Sequence, residues 1–165
     1  AVVHNPQSNM NNAVGAADIL TMFKKGILVG LGTDGMTSNM YEEVHVANII
    51  HKHVKKDPRV AFGEACSMLL SNNSKIASKY FPAKVGELAK GAFADIILVD
   101  YTPYTPINTG NFGGHFIFGM LGAGVNTTIC GGKVLMEDYN VLGLNEKEIC
   151  NASFKIAEAC WNRRK

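Results

Sequence analysis

No two cysteines of this chain stand at CxxC spacing; Cys66, Cys130, Cys150 and Cys160 are scattered. That argues against zinc-ribbon chemistry and reads as reduced, mostly buried thiols of a cytoplasmic protein. No apolar run approaches the roughly 20 residues of a membrane helix, so no membrane partner is expected. The net charge, +2 over 165 residues, is too small to argue for nucleic acid. Arg163-Arg164-Lys165 reads as a solvated tail. There is no GxxxxGK[ST] and no GxGxxG opening a helix, which removes the common phosphate-cradling loops. Ala1-Val2-Val3-His4 is not a signal peptide and contains no initiator Met. It reads as the middle of a strand, so a piece of a longer protein is expected. What is present, 47% hydrophobic and 18% charged residues, fits a globular chain with a real core.

Along the chain, residues 1–4 read as a short apolar strand and residues 5–12 as a polar loop stiffened by Pro6. A helix is expected over residues 13–25, with Ile19, Leu20 and Phe23 at helical spacing and Gly26 as its stop. Residues 27–31 form a continuous apolar run, the pattern of a parallel strand buried on both faces. Strand, helix, strand makes a βαβ unit. Helices are then expected over 40–55, ended by Asp57-Pro58, over 60–70 and over 74–80. Phe62 and Met68 read as core. Residues 94–100 read as a second buried strand, and 111–124 as a Gly-rich stretch interleaved with Phe112, Phe116 and Phe118. Two β-rich runs, 126–130 and 133–137, flank Gly131-Gly132, a hairpin signal. Residues 145–161 predict an amphipathic helix. Three segments result: 1–84, 85–140 and 141–165.

Asp34 stands where a strand stops and a Gly-containing loop, Gly32-Thr33-Asp34-Gly35, begins. In a parallel barrel, functional residues sit at the C-terminal ends of strands. A carboxylate there suits a hard divalent ion and could take a proton from water. The same residue type also caps helices and makes Asx turns. His4 is a structural histidine or a ligand; Asn5, Ser8 and Asn9 bond the loop backbone or face a substrate. His51-Lys52-His53 imitates a His-x-His metal motif, yet it falls in an expected helix, where residues two apart point to different sides.

His4-Asn5-Pro6-Gln7-Ser8-Asn9 and Gly32-Thr33-Asp34-Gly35 together resemble the ends of the last two barrel strands in the amidohydrolase superfamily, in its cytosine/guanine deaminase and chlorohydrolase branch. Gly86-Glu87-Leu88 followed by Gly91-Ala92-Phe93-Ala94-Asp95-Ile96 resembles that family's return strand. Residues 125–138, with Gly132-Lys133-Val134, resemble the hairpin of its small β-sandwich domain. Asn5, residues 113–120 and Tyr101-Thr102-Pro103 are most similar to the SsnA-type aminohydrolases.

The resemblance implies an α/β fold: the last two βα units of a TIM-type (β/α)8 barrel over 1–84, part of a β-sandwich domain with a connecting loop over 85–140, and a C-terminal helix over 141–165. It implies that Asp34 is a metal ligand and proton shuttle, that His4, Ser8 and Asn9 line or brace the pocket, and that Ser38 and Asn39 lie near the substrate. It implies a divalent ion, zinc or iron, and hydrolysis by metal-activated water at a C–N or C–Cl carbon of a small heterocyclic substrate. The family's other metal ligands have no counterpart here, so the chain alone is expected to be inactive. Its first partner is then the missing N-terminal portion of the same protein, with a homodimer suggested. Two other readings stand beside this one: a non-catalytic relative used for binding or assembly, and an unrelated two-part α/β domain with its own core.

Overall fold

The computed structural model describes residues 1–164; Lys165, the end of the basic tail, lies outside the described residues. The chain divides into two compact units, residues 1–93 with 100–124, and residues 94–99 with 125–165.

In the first unit, β1 (Val2–His4) and β2 (Val29–Leu31) pair in parallel, with Val2 opposite Val29 and His4 opposite Leu31. The β2 residues are all buried, as a continuous apolar run predicts, whereas Val2 and Val3 of β1 are exposed. The crossover differs from expectation in two places. Residues 5–12 are not a polar loop: Pro6–Asn11 form α1, because Pro6 at its first position presets the helical φ and sacrifices only an amide without an intrahelical partner. The second helix, α2, begins at Ile19 rather than at residue 13. Ala13 and Gly15 take positive φ, which breaks the helix, and Asp18 restarts it by accepting the Thr21 amide and hydroxyl.

Asn39 caps α3 (Met40–Lys55) by accepting the Tyr41 amide, and Lys56 closes it in the left-handed conformation just before Asp57-Pro58. Its buried face carries Val44 and Ala47, and also the polar Glu43, Asn48 and His51. Beyond it, the two expected helices form one continuous helical run: α4 (Phe62–Ser67), a π-helical turn over Met68–Asn72, and α5 (Asn73–Ala77). The wide turn sets consecutive asparagines against β2. Asn72 Nδ2 donates to the Val29 carbonyl at 2.8 Å, and Asn73 accepts from the Leu31 amide at 2.9 Å and donates to its carbonyl at 2.8 Å. The edge of β2 away from β1 is therefore occupied by side-chain amides rather than left open. Met68 is fully buried, but Phe62 is 40% exposed, a correction to its reading as core.

The Gly-rich stretch is helical: α6 (Phe112–Gly114) passes into a π-helical turn over His115–Gly119 and a 3-10 turn over Met120–Gly122. It contributes Phe116 and Ile117 to a core with Ile19, Val29, Leu31, Val44, Ala47, Ala65 and Met68.

The second unit is an antiparallel sheet in the order β3 (Ile96–Val99), β4 (Val125–Cys130), β5 (Lys133–Glu137), β6 (Asn140–Val141). Gly131 and Gly132 both take positive φ and join β4 to β5 in the expected hairpin; Cys130 pairs with Lys133. Asp95 Oδ1 accepts the Gly131 amide at 2.6 Å and fixes that turn. The expectation of a buried second strand fails: Ile97 and Leu98 in β3 are each half exposed. The C-terminal helix α7 (Glu146–Asn162) forms as its pattern predicts, capped by Asn145, with Ile149, Phe154 and Ile156 exposed. The thiols also depart from expectation. Cys150 and Cys160 ride on this exposed helix and Cys130 sits at the hairpin end, so only Cys66 is partly buried; all four are free.

Candidate functional site

The parallel pairing of β1 and β2 brings the segments after them together. The Gly32 amide donates to the His4 carbonyl at 2.9 Å, which sets the two strand ends side by side. A Cβ at Gly32 would lie 2.5 Å from Asn5 Oδ1 and 2.8 Å from Val3 Cγ1, so any larger residue there would have to displace these two side chains. Two residues further, Asp34 takes a φ of 53°, a left-handed conformation that Asp tolerates better than most residues.

Ser8, buried on α1, donates its hydroxyl to Asp34 Oδ2 at 2.7 Å. Asn12 Nδ2 donates to the same Ser8 oxygen at 3.5 Å, which directs the single Ser8 proton toward Asp34. The Asp34 carboxylate is thereby oriented on one oxygen while the residue stays exposed.

His4 is 2% exposed, and its Nε2 lies 3.0 Å from Nε2 of buried His51 on α3. Its Nδ1 is buried with no hydrogen-bond partner. An orphaned buried N–H costs more than an under-used acceptor, which assigns the shared proton to His4 Nε2, with His51 accepting. Burial, then the neighbouring His51, pushes His4 down to about 4. Burial likewise lowers His51, with Asp18 and Glu64 pulling against it and Lys55 adding to it. His53, two residues on, is exposed, so the two do not converge.

Glu43 was not visible as a site residue in the sequence. It is fully buried; Oε2 accepts the Gln7 amide at a long 3.4 Å, and Oε1 has no partner. Burial raises its carboxyl above the ordinary range, the Gln7 amide opposes this, and Glu42 adds to it. Spacing offered no clear signal, because the buried face of α3 mixes Val44 and Ala47 with the polar Asn48 and His51. Asn9 is half-buried within α1. Ser38 is exposed, and Asn39 is committed to capping α3 while its Nδ2 donates to Glu42. A cavity of about 530 Å³ opens beside these elements, lined by Gln7, Met10, Met36, Glu42, His45 and Leu121.

Asp34 fits a divalent ion as one oxygen ligand, since Ser8 engages only its second oxygen. A zinc site needs about four ligands. Among the described residues no group of three or more His, Cys, Asp or Glu side chains could hold a metal. The described residues therefore offer no complete metal site, and Asp34 is the one candidate oxygen ligand among those singled out from the sequence.

The model of the amidohydrolase family matches residues 1–135. A 5-methylthioadenosine/S-adenosylhomocysteine deaminase of Acetivibrio thermocellus is 34% identical over 154 residues, covering 90% of this chain and 35% of the relative. A 5'-deoxyadenosine deaminase of Methanosarcina barkeri is 35% identical over 166 residues, covering 98% and 38%. A zinc-bound adenosine deaminase structure from Xanthomonas campestris matches with a TM-score of 0.76 at 19% identity, over 95% of this chain and 36% of that one. Atrazine chlorohydrolase from Arthrobacter aurescens complexed with zinc matches at 0.71 and 18% identity, over 94% and 35%. The chain thus spans little more than a third of the length of the proteins it resembles.

Proposed function

The chain belongs to the amidohydrolase family, and from that premise we propose that it is the C-terminal portion of a metal-dependent hydrolase that removes an amino group from a heterocycle. The observation that carries the reading is the Ser8–Asp34 contact at the C-terminal ends of two parallel strands. It holds a lone exposed carboxylate where a barrel presents its chemistry. Relatives named as deaminases of adenosine derivatives make such nucleosides the first substrates to try.

In this proposal Asp34 is one ligand of a divalent ion, zinc before iron, and the group that takes a proton during hydrolysis. The bound ion supplies Lewis acidity and lowers the pKa of water. Ser8 orients the carboxylate. His4 and Asn9 brace the β1–α1 corner, and Ser38 and Asn39 shape the loop opposite. The rest of the barrel comes from residues preceding this chain, with residues 85–140 in a β-sandwich domain and 141–165 forming the terminal helix. The assembly is a cytoplasmic homodimer. No helix among the described residues is long and apolar enough to cross a membrane. An SsnA-type specificity is the finer version of the same proposal, resting on Asn5, residues 113–120 and Tyr101-Thr102-Pro103.

The test is ammonia release by the zinc-loaded full-length protein from 5'-deoxyadenosine, 5-methylthioadenosine and S-adenosylhomocysteine, with chloride release from atrazine in parallel. Turnover of one of these, reduced about 100-fold or more by Asp34→Asn, is expected. Silence on all of them, with zinc bound, turns the reading to a non-catalytic binding or assembly relative.

A further inference from the structure

A buried carboxylate is costly unless something engages it, and Glu43 has one engaged oxygen, on the Gln7 amide. The place of that amide is informative. The N-cap residue of α1, Asn5, makes no side-chain cap bond, and Pro6 has no N–H to offer. Gln7 therefore carries the first amide donor of α1, and the acceptor comes from another helix. The next residue is Ser8, whose hydroxyl holds Asp34. Two turns further along α3, His51 grips His4 just ahead of the same helix. So α3 holds the β1–α1 corner on both sides of Pro6.

We propose that Glu43 is a positioning residue: from the first turn of α3 it caps α1 and so keeps Ser8 against Asp34. This rests on the reading of Asp34 as a metal ligand. In this role Glu43 acts through α1, by way of the Gln7 amide. The only hydrogen bond to its carboxylate among the described residues comes from α1, so the role is read in α1 exchange and in zinc binding together.

The test uses the full-length protein with zinc as the probe. Amide exchange over residues 7–11 is followed by mass spectrometry, and the zinc dissociation constant by competition with a chelator. Glu43→Met keeps the volume and removes the acceptor; Glu43→Ala is a second removal, and Glu43→Gln keeps an acceptor. The removals should speed exchange in α1 and weaken zinc binding about tenfold, the scale expected when a ligand loses its outer support. Glu43→Gln should recover most of both. Ser8→Ala should weaken zinc binding without speeding α1 exchange, and adding Glu43→Met to it should cost less than a further twofold. Losses that multiply in the double variant, or zinc binding within twofold of wild type in both removals, overturn the proposal. Asp34→Asn separates the two layers: unchanged zinc affinity there removes the ligand role of Asp34, while faster α1 exchange in Glu43→Met would still show the cap.

Discussion

His4 and His51 meet through two Nε2 atoms, and only one of these can carry a proton while the bond persists. Protonating both would set two buried cations in contact. Burial is the main cause that keeps the pair neutral, lowering His4 from 6.5 to about 4 with His51 adding to it, and lowering His51 as well. The sign of the pH dependence follows. The unfolded chain binds protons at these histidines near pH 6.5 and the folded chain does not, so stability is full above that pH and falls as the pH drops toward 4. A shift of this size in His4 alone is worth about 3 kcal/mol. Urea midpoints of the full-length protein between pH 7.5 and 5 should fall, and fall less steeply in His4→Asn; equal slopes in the two would show that the pair does not titrate this way. At this scale the sequence singled out two residues that the structure brings into contact. Asp34 and Ser8 were marked by strand ends and motif order. Glu43 and His51 were not, because only the packing of α3 reveals which of its polar residues face inward.

Among the elements, β2 depends on a helix that follows it by forty residues. Asn73 meets both the amide and the carbonyl of Leu31, as a neighbouring strand would. Asn73→Ala leaves two backbone groups without partners, and about 2 kcal/mol of stability should go with them. Asn151→Ala, on the exposed face of α7, is the control. Equal urea midpoints for the two variants would mean that another strand, not Asn73, satisfies that edge in the full-length protein. The sequence pattern marked β1 to β5, α3, the hairpin and α7, but not the short β6 or the exposure of β3. It did not reveal α1, where polar residues conceal a helix begun by Pro6. Nor could it foresee the π-helical turn that fuses α4 to α5, since i→i+5 bonding leaves no simple trace in hydrophobic spacing.

For the molecule as a whole, the issue is what 165 residues can do without the other two thirds of a relative's length. The chain has a real core around Val29, Val44 and Met68. It also exposes Val2 and Val3 on β1, Ile97 and Leu98 on β3, and Phe154, Ile156 and Trp161 on α7. Side chains of this kind are ordinarily covered. On the reading proposed for Asp34, the metal site is just as incomplete, with one ligand where zinc takes about four. The burial of β2 and the composition were legible as a fold class, but composition says nothing about which apolar side chains stay exposed. Both shortages predict the same behaviour for the 165-residue chain made alone. It should bind zinc weakly in equilibrium dialysis, release no ammonia from 5'-deoxyadenosine, and bind a dye specific for exposed apolar surface far more than the full-length protein does. Tight, stoichiometric zinc binding by the isolated chain would mean that it builds a metal site from its own residues, and the proposal that its remaining ligands lie elsewhere would fall.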